Sequence, residues 1–475
     1  MRDMPHVTIS VSVSEQHYVT GCELRVAVTL TNTASTRELL LVQSPEADLP
    51  FEYELVSAEY GSFRLSKRLY EQAALEHGIP PLKPELQPLI PGESCTYWDD
   101  VSSWMTTPIP AAQYDLIVHW DSPNGERFTA AAVSVTLEAP HVEHHVCASD
   151  MTGQVLIGLF DHARGPSSTL YHRVSEYARP ALGRGLDLHR DNQADSLAIA
   201  CELDDSSQWR WYAWMSAEHL HGCIRWGTQS VRSLNATRVG ISRGKLLPIG
   251  WQTRHAAGVF VVLGEAAGVA AVDLILIPQV GEPQHCTYSL QCPVPRLAAA
   301  GSYAPGLGVI ELLLGFESAG RTSVLIQHID FSLTDCPPPR VLLEVDGPLR
   351  ALSVAPRITE NSTCDVLVGD TLHRVPLVNG ATQAYPLAPQ PCADGWSLPL
   401  VPHPDVPVLA RVNDTLTLAR AKHAPTWTPV VTSAHGVSHA TLTHLAPTDG
   451  SGEGTLAAAY FDGLHGYTVT NLGAE

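Results

Sequence analysis

The sequence predicts an all-β protein in two parts: an antiparallel sandwich over residues 1–140, then a closed ring of small sheets over residues 141–475. Three observations predict it. Strict alternation of polar and apolar residues, the period of half-buried strands, runs through the first quarter of the chain, as in VTISVSV from Val7 to Val13. Seven apolar runs recur through the rest, each followed after a short Gly-containing turn by a second strand-like run. The clearest copies are GVFVVLGEAAGVAAVDLILIP from Gly258, GVIELLLGFESAGRTSVLIQHI from Gly308 and TLAAAYFDGLHGYTVTNL from Thr455. Finally, VLIGLF, VFVVLG and IELLLGF are nearly continuous apolar runs, so both faces of those strands must be covered.

Within the first region, strands are expected at Val7 to Val13, Leu24 to Asn32, FEYELV, YDLIVHW and AAVSVTL. Gly21, Pro91-Gly92, Pro110 and the turn Ser122-Pro123-Asn124-Gly125 punctuate them. Roughly seven strands without a long helical period read as an antiparallel sandwich. LRVAVTLTN ending in an Asn turn, the PGES turn at Pro91 to Ser94, and YDLIVHW at Tyr114 to Trp120 give this stretch its family likeness. It resembles the broad immunoglobulin-like sandwich family found in many bacterial proteins. Cys22 and Cys95 lack the Cys, Trp, Cys order of antibody-type domains, so no core disulfide is implied. An insertion is expected at residues 65–92: a helix from Leu65 to Gly78, stopped by Gly78 and by Pro80-Pro81, then the Pro-rich run PPLKPELQPLIPG.

Repeat anchors in the second region fall at Val155, Ser196, Gly258, Gly308, Arg350, Pro407 and Thr455, about 50 residues apart on average. That interval suits four short antiparallel strands with their turns. The longest intervals follow Ser196 and Arg350, where the largest loops and most partner contacts are expected. EHHVCA, Glu143 to Ala148, is expected to complete the sheet that YTVTNL ends at the carboxyl terminus, closing the ring and removing free edges. Period and burial pattern together resemble a seven-bladed β-propeller, with six or eight blades as the alternatives. No Trp-Asp repeat or kelch-type double-Gly signature recurs.

Composition narrows the function. Charged residues make up 16% of the chain and hydrophobic ones 44%, enough to build sizeable cores. A net charge of −20, with no dense basic run, argues against binding to nucleic-acid backbones or anionic membranes. No apolar run is long enough to insert in a membrane. MRDMPHVTIS places Asp3 and Pro5 where an export signal needs a basic start and an apolar stretch, so the expected location is cytoplasmic. The ten cysteines then read as reduced; Cys286 and Cys292 form the only close pair, and the sequons at Asn235, Asn361 and Asn413 are chance matches.

Motifs for chemistry are sparse. Gly240-Ile241-Ser242-Arg243-Gly244 fits G-x-S-x-G, but KLLPIGW follows in place of the helix that a nucleophile elbow needs. His219, His221 and Cys223 alternate, as do His145 and Cys147, and His435, His439 and His444 form a further set; exposed histidines beside a buried cysteine are the expected reading. HVEHH has the wrong spacing for a zincin. The pairs Asp99-Asp100 and Asp204-Asp205 read as solvated turn acids, and DGSGE at Asp449 to Glu453 falls short of a calcium loop. No catalytic residue, metal site or cofactor is assigned. In QWRWYAW, Trp209 and Trp211 are expected on one strand face and Tyr212 and Trp214 on the other. Trp209 and Trp211, with His219 and His221, are the candidate binding residues. The expected function is a non-enzymatic interaction scaffold for a protein partner; the alternative is a carbohydrate-binding or carbohydrate-active propeller.

Overall fold

The computed structural model describes residues 6–19, 24–35, 39–43, 51–66, 85–101, 109–122, 125–138, 144–149, 155–161, 165–172, 181–182, 186–187, 194–201, 209–216, 219–226, 229–238, 241–247, 256–278, 280–303, 309–330, 336–355, 357–359, 361–388, 395–399, 407–412, 415–420, 427–432, 437–445, 455–462 and 466–472. Among them the protein is all-β, with no helix. The chain divides into two compact units. One is built on Met1–Pro140 with Thr169–Leu186 and Leu464–Tyr467, the other on His141–Ser168, Asp187–Gly463 and Thr468–Glu475.

Two principal sheets make the first unit. The smaller runs Val7–Val13, Arg25–Asn32, Ser94–Asp100, antiparallel throughout. The larger runs His17–Val19, Val133–Glu138, Ala112–Asp121, Phe51–Ser57, Gly61–Ser66, with Arg127–Thr129 added beside Ala112–Asp121. Alternation sends Val26, Val28 and Leu30 inward from the small sheet, and Tyr53, Leu55, Leu116, Val118 and Trp120 inward from the large one. The sheets meet where the Phe51 and Tyr97 rings pack edge-on at 5.4 Å and Tyr53 Oη donates to Asp99 Oδ2 at 2.7 Å. Burial, then the Asp99 charge, holds the Tyr53 phenol far above its ordinary value.

Asp99 and Asp100 are therefore structural rather than solvated turn acids. Asp100 Oδ1 accepts from the Leu24 backbone N–H at 3.0 Å and fixes the entry to Arg25–Asn32. Gly92 and Gly125 adopt φ of +86° and +83°, which explains glycine in both predicted turns. Of the expected helix, Leu65 and Ser66 instead close the strand Gly61–Ser66, and residues 67–84 lie outside the described residues. Part of the Pro-rich run is a strand: Glu85–Leu89 pairs with Leu39–Gln43, tolerating Pro88 because a two-stranded sheet has only edges.

The second unit is a succession of antiparallel sheets in sequence order. After an opening hairpin, His144–Ser149 with Val155–Asp161, comes a sheet of Ala194–Cys201, Trp209–Ser216, His219–Trp226 and Gln229–Arg238. The next contains Ser242–Leu247, Ala256–Ala266, Val269–Pro278 and Gln284–Ser289. Leu297–Tyr303, Val309–Ser318, Arg321–Asp330 and Arg340–Asp346 follow, then Leu349–Val354, Thr363–Val368, Thr371–Pro376 and Gln383–Pro386. Pro407–Val412, Thr415–Arg420 and Thr428–Thr432 form another, and Val437–Leu445 pairs with Thr455–Asp462.

Central strands bury both faces, as their continuous apolar runs demand. Along Ala256–Ala266, Phe260 and Val262 enter a core with Trp211, Met215 and Ile224 of the preceding sheet. Val259, Val261 and Leu263, the alternate set, enter a different core with Ile310, Leu312 and Leu314 of the following sheet. Leu313, between those last two, turns to a third core with Val366 and Val368. Each of these sheets is thus the filling between its neighbours.

The first strands lie side by side. His144–Ser149 lies beside Ala194–Cys201, which lies beside Ser242–Leu247, then Leu297–Tyr303, then Leu349–Val354. Pro407–Val412 lies beside Val437–Leu445, which returns to His144–Ser149. The expected strand sharing at the termini does not occur in the form expected: His144–Ser149 pairs with Val155–Asp161, its sequence neighbour. A hairpin closes a short loop, whereas pairing with the carboxyl terminus closes a very long one at greater entropic cost. The anchors also sort differently from the simple period. Ser196 lies on a first strand and Gly258 on a second, so their long interval reflects the choice of anchor and not a large loop.

Glycine holes set the spacing between two sheets. A Cβ on Gly258 would stand 2.5 Å from Trp211 Nε1, and one on Gly222 would stand 2.6 Å from the Phe260 ring. Trp211 thus sits over a glycine of the following sheet, and Phe260 over a glycine of the preceding one. Overpacking a filled core costs about 1–3 kcal/mol.

Three acids are buried on these central strands. Asp365 receives both Nε and Nη2 of Arg374, its register partner, at 2.9 and 3.0 Å. Glu311 pairs across the strands with His328 Nδ1 at 2.9 Å. Asp273 accepts from the Thr287 hydroxyl. Desolvation raises the Asp365 and Glu311 carboxyls above their ordinary values, and Arg374 and His328 respectively pull them back only in part.

Three outcomes follow from this packing. Gly258→Ala should lower the stability of the second unit by about 1–3 kcal/mol in urea unfolding, while Gly268→Ala, with open space around it but a φ of +81°, reports backbone strain alone. Arg374→Met should cost about 3–5 kcal/mol, because it strands Asp365 without its partner. Glu311 titrates higher folded than unfolded, so its contribution is fully present below the unfolded value and is lost as pH rises through the folded one. Glu311→Gln should therefore flatten the decline of the urea midpoint across that window, measured from about pH 4 to 8.

Candidate functional site

On the aromatic strand the structure describes Trp211, Tyr212 and Trp214 as core residues. Trp211 is 1% exposed and Trp214 5%, with Tyr212 and Met215 equally buried, so packing occupies both faces of Trp209–Ser216. Trp211 offers no ring face to a ligand. A strand between two neighbouring sheets uses its aromatics as core, and the sequence alone could not separate that use from display. The side chain of Trp209 lies outside the described residues.

His219 is exposed, whereas His221 is half-buried and stacks on Trp214 with ring centroids 5.6 Å apart and planes 3° from parallel. Cys223 continues the same strand face, half-buried. Among the described residues, no group of three or more His, Cys, Asp or Glu is placed to hold a metal ion. The side chains of His145, Cys147, His435, His439 and His444 lie outside them, as do Asp204, Asp205 and the Asp449 to Glu453 loop. Ser242 opens the strand Ser242–Leu247, and a strand in place of a helix removes the elbow geometry. The three buried acids occupy separate sheets, each satisfied across its own hairpin, so no pair of them flanks a shared reacting position.

A site that the sequence reading missed lies at the connections between third and fourth strands. Val280 follows Val269–Pro278 and is 89% exposed. Val341, second residue of Arg340–Asp346, is 53% exposed, and Val378, just past Thr371–Pro376, is 42% exposed. Val280 and Val378 thus stand at the same step of their sheets, between third and fourth strands, whereas Val341 stands on a fourth strand opposite Leu325. Isolated apolar side chains at a surface need no explanation, but a repeated position is a pattern.

Arginines brace the same connections from the neighbouring sheet. Arg232, on the fourth strand Gln229–Arg238, donates through Nη2 to the carbonyl of Gly281, next to Val280. Arg340, on the fourth strand of its own sheet, donates through Nη2 to the carbonyl of Leu377, next to Val378, at 2.5 Å. A guanidinium to carbonyl bond is charge-assisted, and the planar fork loses little freedom in making it. Val280 and Val378 consequently stand on connections pinned across sheet boundaries, and Val341 follows Arg340, which makes one of those bonds. The signal available in the sequence was weak: Val280 in IPQVGEP and Val378 in PLVNG are single apolar residues inside turn-like stretches.

No protein-family pattern and no curated protein matches the chain. Similar solved structures include the β-propeller domain of Cps50 (Swd1) from Myceliophteria thermophila, at 14% identity and a TM-score of 0.39, covering 70% of this chain and 98% of that one. The SapL1 lectin in complex with alpha methyl fucoside is 11% identical with a TM-score of 0.33, over 69% of this chain and 94% of the lectin. A quinonprotein alcohol dehydrogenase-like protein from Bacteroides thetaiotaomicron is 9% identical with a TM-score of 0.34, over 99% and 98% of the two chains. These neighbours are propeller-like or of diverse kinds, and at such scores none carries an activity to this chain.

Proposed function

We propose that the protein is a non-enzymatic interaction scaffold, an immunoglobulin-like sandwich joined to a seven-bladed propeller whose rim receives a protein partner. Side-by-side first strands that return to His144–Ser149, together with central strands buried on both faces, support the propeller reading. For the sandwich, the supporting detail is Tyr114: it stands near the start of Ala112–Asp121, and its hydroxyl donates 2.8 Å to the Pro110 carbonyl four residues upstream. That is the arrangement of a tyrosine corner. Six described free thiols suit a reducing compartment, for which we propose the cytoplasm.

The single observation that carries the scaffold reading is the set of exposed valines Val280, Val341 and Val378 on three successive sheets, two of them on connections braced by an arginine of the preceding sheet. In a ring of like-oriented meanders, Val280 and Val378 fall at one end of their sheets, with Val341 on the fourth strand of the sheet between them. Preorganised apolar side chains bind at low entropic cost, since the connections holding them are already fixed. Among the described side chains of the innermost strands Lys245 is exposed, Arg350 and Thr441 are half-buried, and Ala298, Ala299, Leu352 and Ala440 pack against the cores between sheets.

The test is affinity capture from the native host with the full chain as bait. Replacing Val280, Val341 and Val378 together with Asp should remove the specifically recovered protein, reducing recovery at least tenfold. Val269→Asp with Val294→Asp, which alters exposed valines outside these connections, should leave recovery unchanged. Recovery of the same protein by a folded triple variant overturns the proposal.

A further inference from the structure

The outer face of the small amino-terminal sheet carries a different chemistry from the rim. Its three strands stand in rows: Thr8, Thr31 and Ser94; Ser10, Thr29 and Thr96; Ser12, Ala27 and Trp98. Trp98 is 64% exposed, an extreme value for a side chain that ordinarily contributes much of a core or an interface. Seven of its eight row-mates carry a hydroxyl. Thr29 and Thr96 hydroxyls share a hydrogen bond of 2.8 Å, and Thr31 and Ser94 one of 2.7 Å. Such a pair uses one donor and one acceptor, leaving a second donor and several lone pairs for a ligand.

Charge separates the candidate ligands. The chain holds 49 Asp and Glu, yet none of these nine positions is charged, and Arg25 with its register partner Asp100, a buried acid that accepts from the Leu24 N–H, borders the face at the Trp98 end. An anion finds no cluster of cations here, and the one carboxylate at the border, Asp100, is buried and already holds the Leu24 N–H. A protein partner would need an apolar centre, whereas one indole stands beside rows of small hydroxyls. A sugar ring meets both features: its C–H face stacks on an exposed indole, and its hydroxyls donate and accept as the threonines and serines do.

We propose that this face binds a neutral polysaccharide chain, with Trp98 stacking on one sugar ring and the Thr29–Thr96 and Thr31–Ser94 hydroxyl pairs engaging its neighbours. Rows of hydroxyls are about 4.8 Å apart between strands and about 6.7 Å apart along them, so a linear glycan lying on the sheet meets a repeated pattern. The site stands in the first unit and is independent of the valine row, so the two proposals fail separately.

Native affinity electrophoresis of the full chain in gels containing soluble xylan, glucomannan or dextran tests it. At least one gel should retard the wild type, and Trp98→Ala should weaken that retardation at least tenfold. Thr29→Val with Thr96→Val should weaken it several-fold. Because Trp98 is exposed, Trp98→Ala should unfold at the same urea midpoint as the wild type, which separates lost binding from lost folding. Absence of retardation in all three gels overturns the proposal, as does equal retardation of Trp98→Ala. Loss of a captured protein on Trp98→Ala, with no effect of any polysaccharide, overturns it in favour of a protein-docking face.

Discussion

Burial of both faces of the central strands is the constraint on which the second unit depends. Phe260 and Val262 belong to one core and Val259, Val261 and Leu263 to another, although all five are consecutive in sequence. No sheet of this kind is stable alone, since either face exposed would put a continuous apolar surface in water at roughly 25 cal/mol per Å². The neighbours must therefore be present together, and a ring is the arrangement in which no sheet is left last. Close approach is reached at the glycines, where Trp211 and Phe260 enter holes that a methyl group would fill.

The buried acids of the stack are answered within their own sheets, where the neighbouring faces are apolar. Asp365 with Arg374, Glu311 with His328 and Asp273 with Thr287 are each cross-strand partners, the shortest route to a satisfied bond. Breaking one partner leaves a buried charge with nowhere to turn. The same logic confines recognition to the periphery. Trp211, Tyr212 and Trp214 are consumed by packing, so exposed side chains at the strand connections and on the first unit's outer sheet remain to meet partners.

Much of this was legible in the sequence, because periodicity reports burial directly. VTISVSV alternates and forms Val7–Val13, half-buried as expected, while VFVVLG runs continuously and is buried on both sides. Six of the seven repeat anchors fall in separate sheets, yet not always on the same strand of them, since an apolar run marks a buried strand without stating its place in the meander; Gly308 lies outside the described residues, just before Val309–Ser318. Function was less legible. Alternating aromatics specify two strand faces but not what lies against them, and Trp211 and Trp98 look alike in one dimension. What distinguishes them is their surroundings: Trp98 lies on an outer sheet face whose neighbours are Ser and Thr, and Trp211 in a core whose neighbours include Leu, Val and Ala.

The variety of contacts between sheets also accounts for the missing repeat signature. One boundary is set by Trp211 over Gly258 and Phe260 over Gly222; another by Leu349 over Gly315, where a Cβ would stand 2.5 Å from the Leu349 side chain. Arg232 braces one connection and Arg340 another, each reaching a backbone carbonyl that places no demand on the side chain it belongs to. A carbonyl acceptor and a glycine hole are satisfied by many local sequences. Packing of this kind preserves the spacing of sheets while leaving each pair free to use different residues, so the period persists where a shared motif does not. Recognition can then be placed on particular sheets, as the valine row is, without being repeated around the unit.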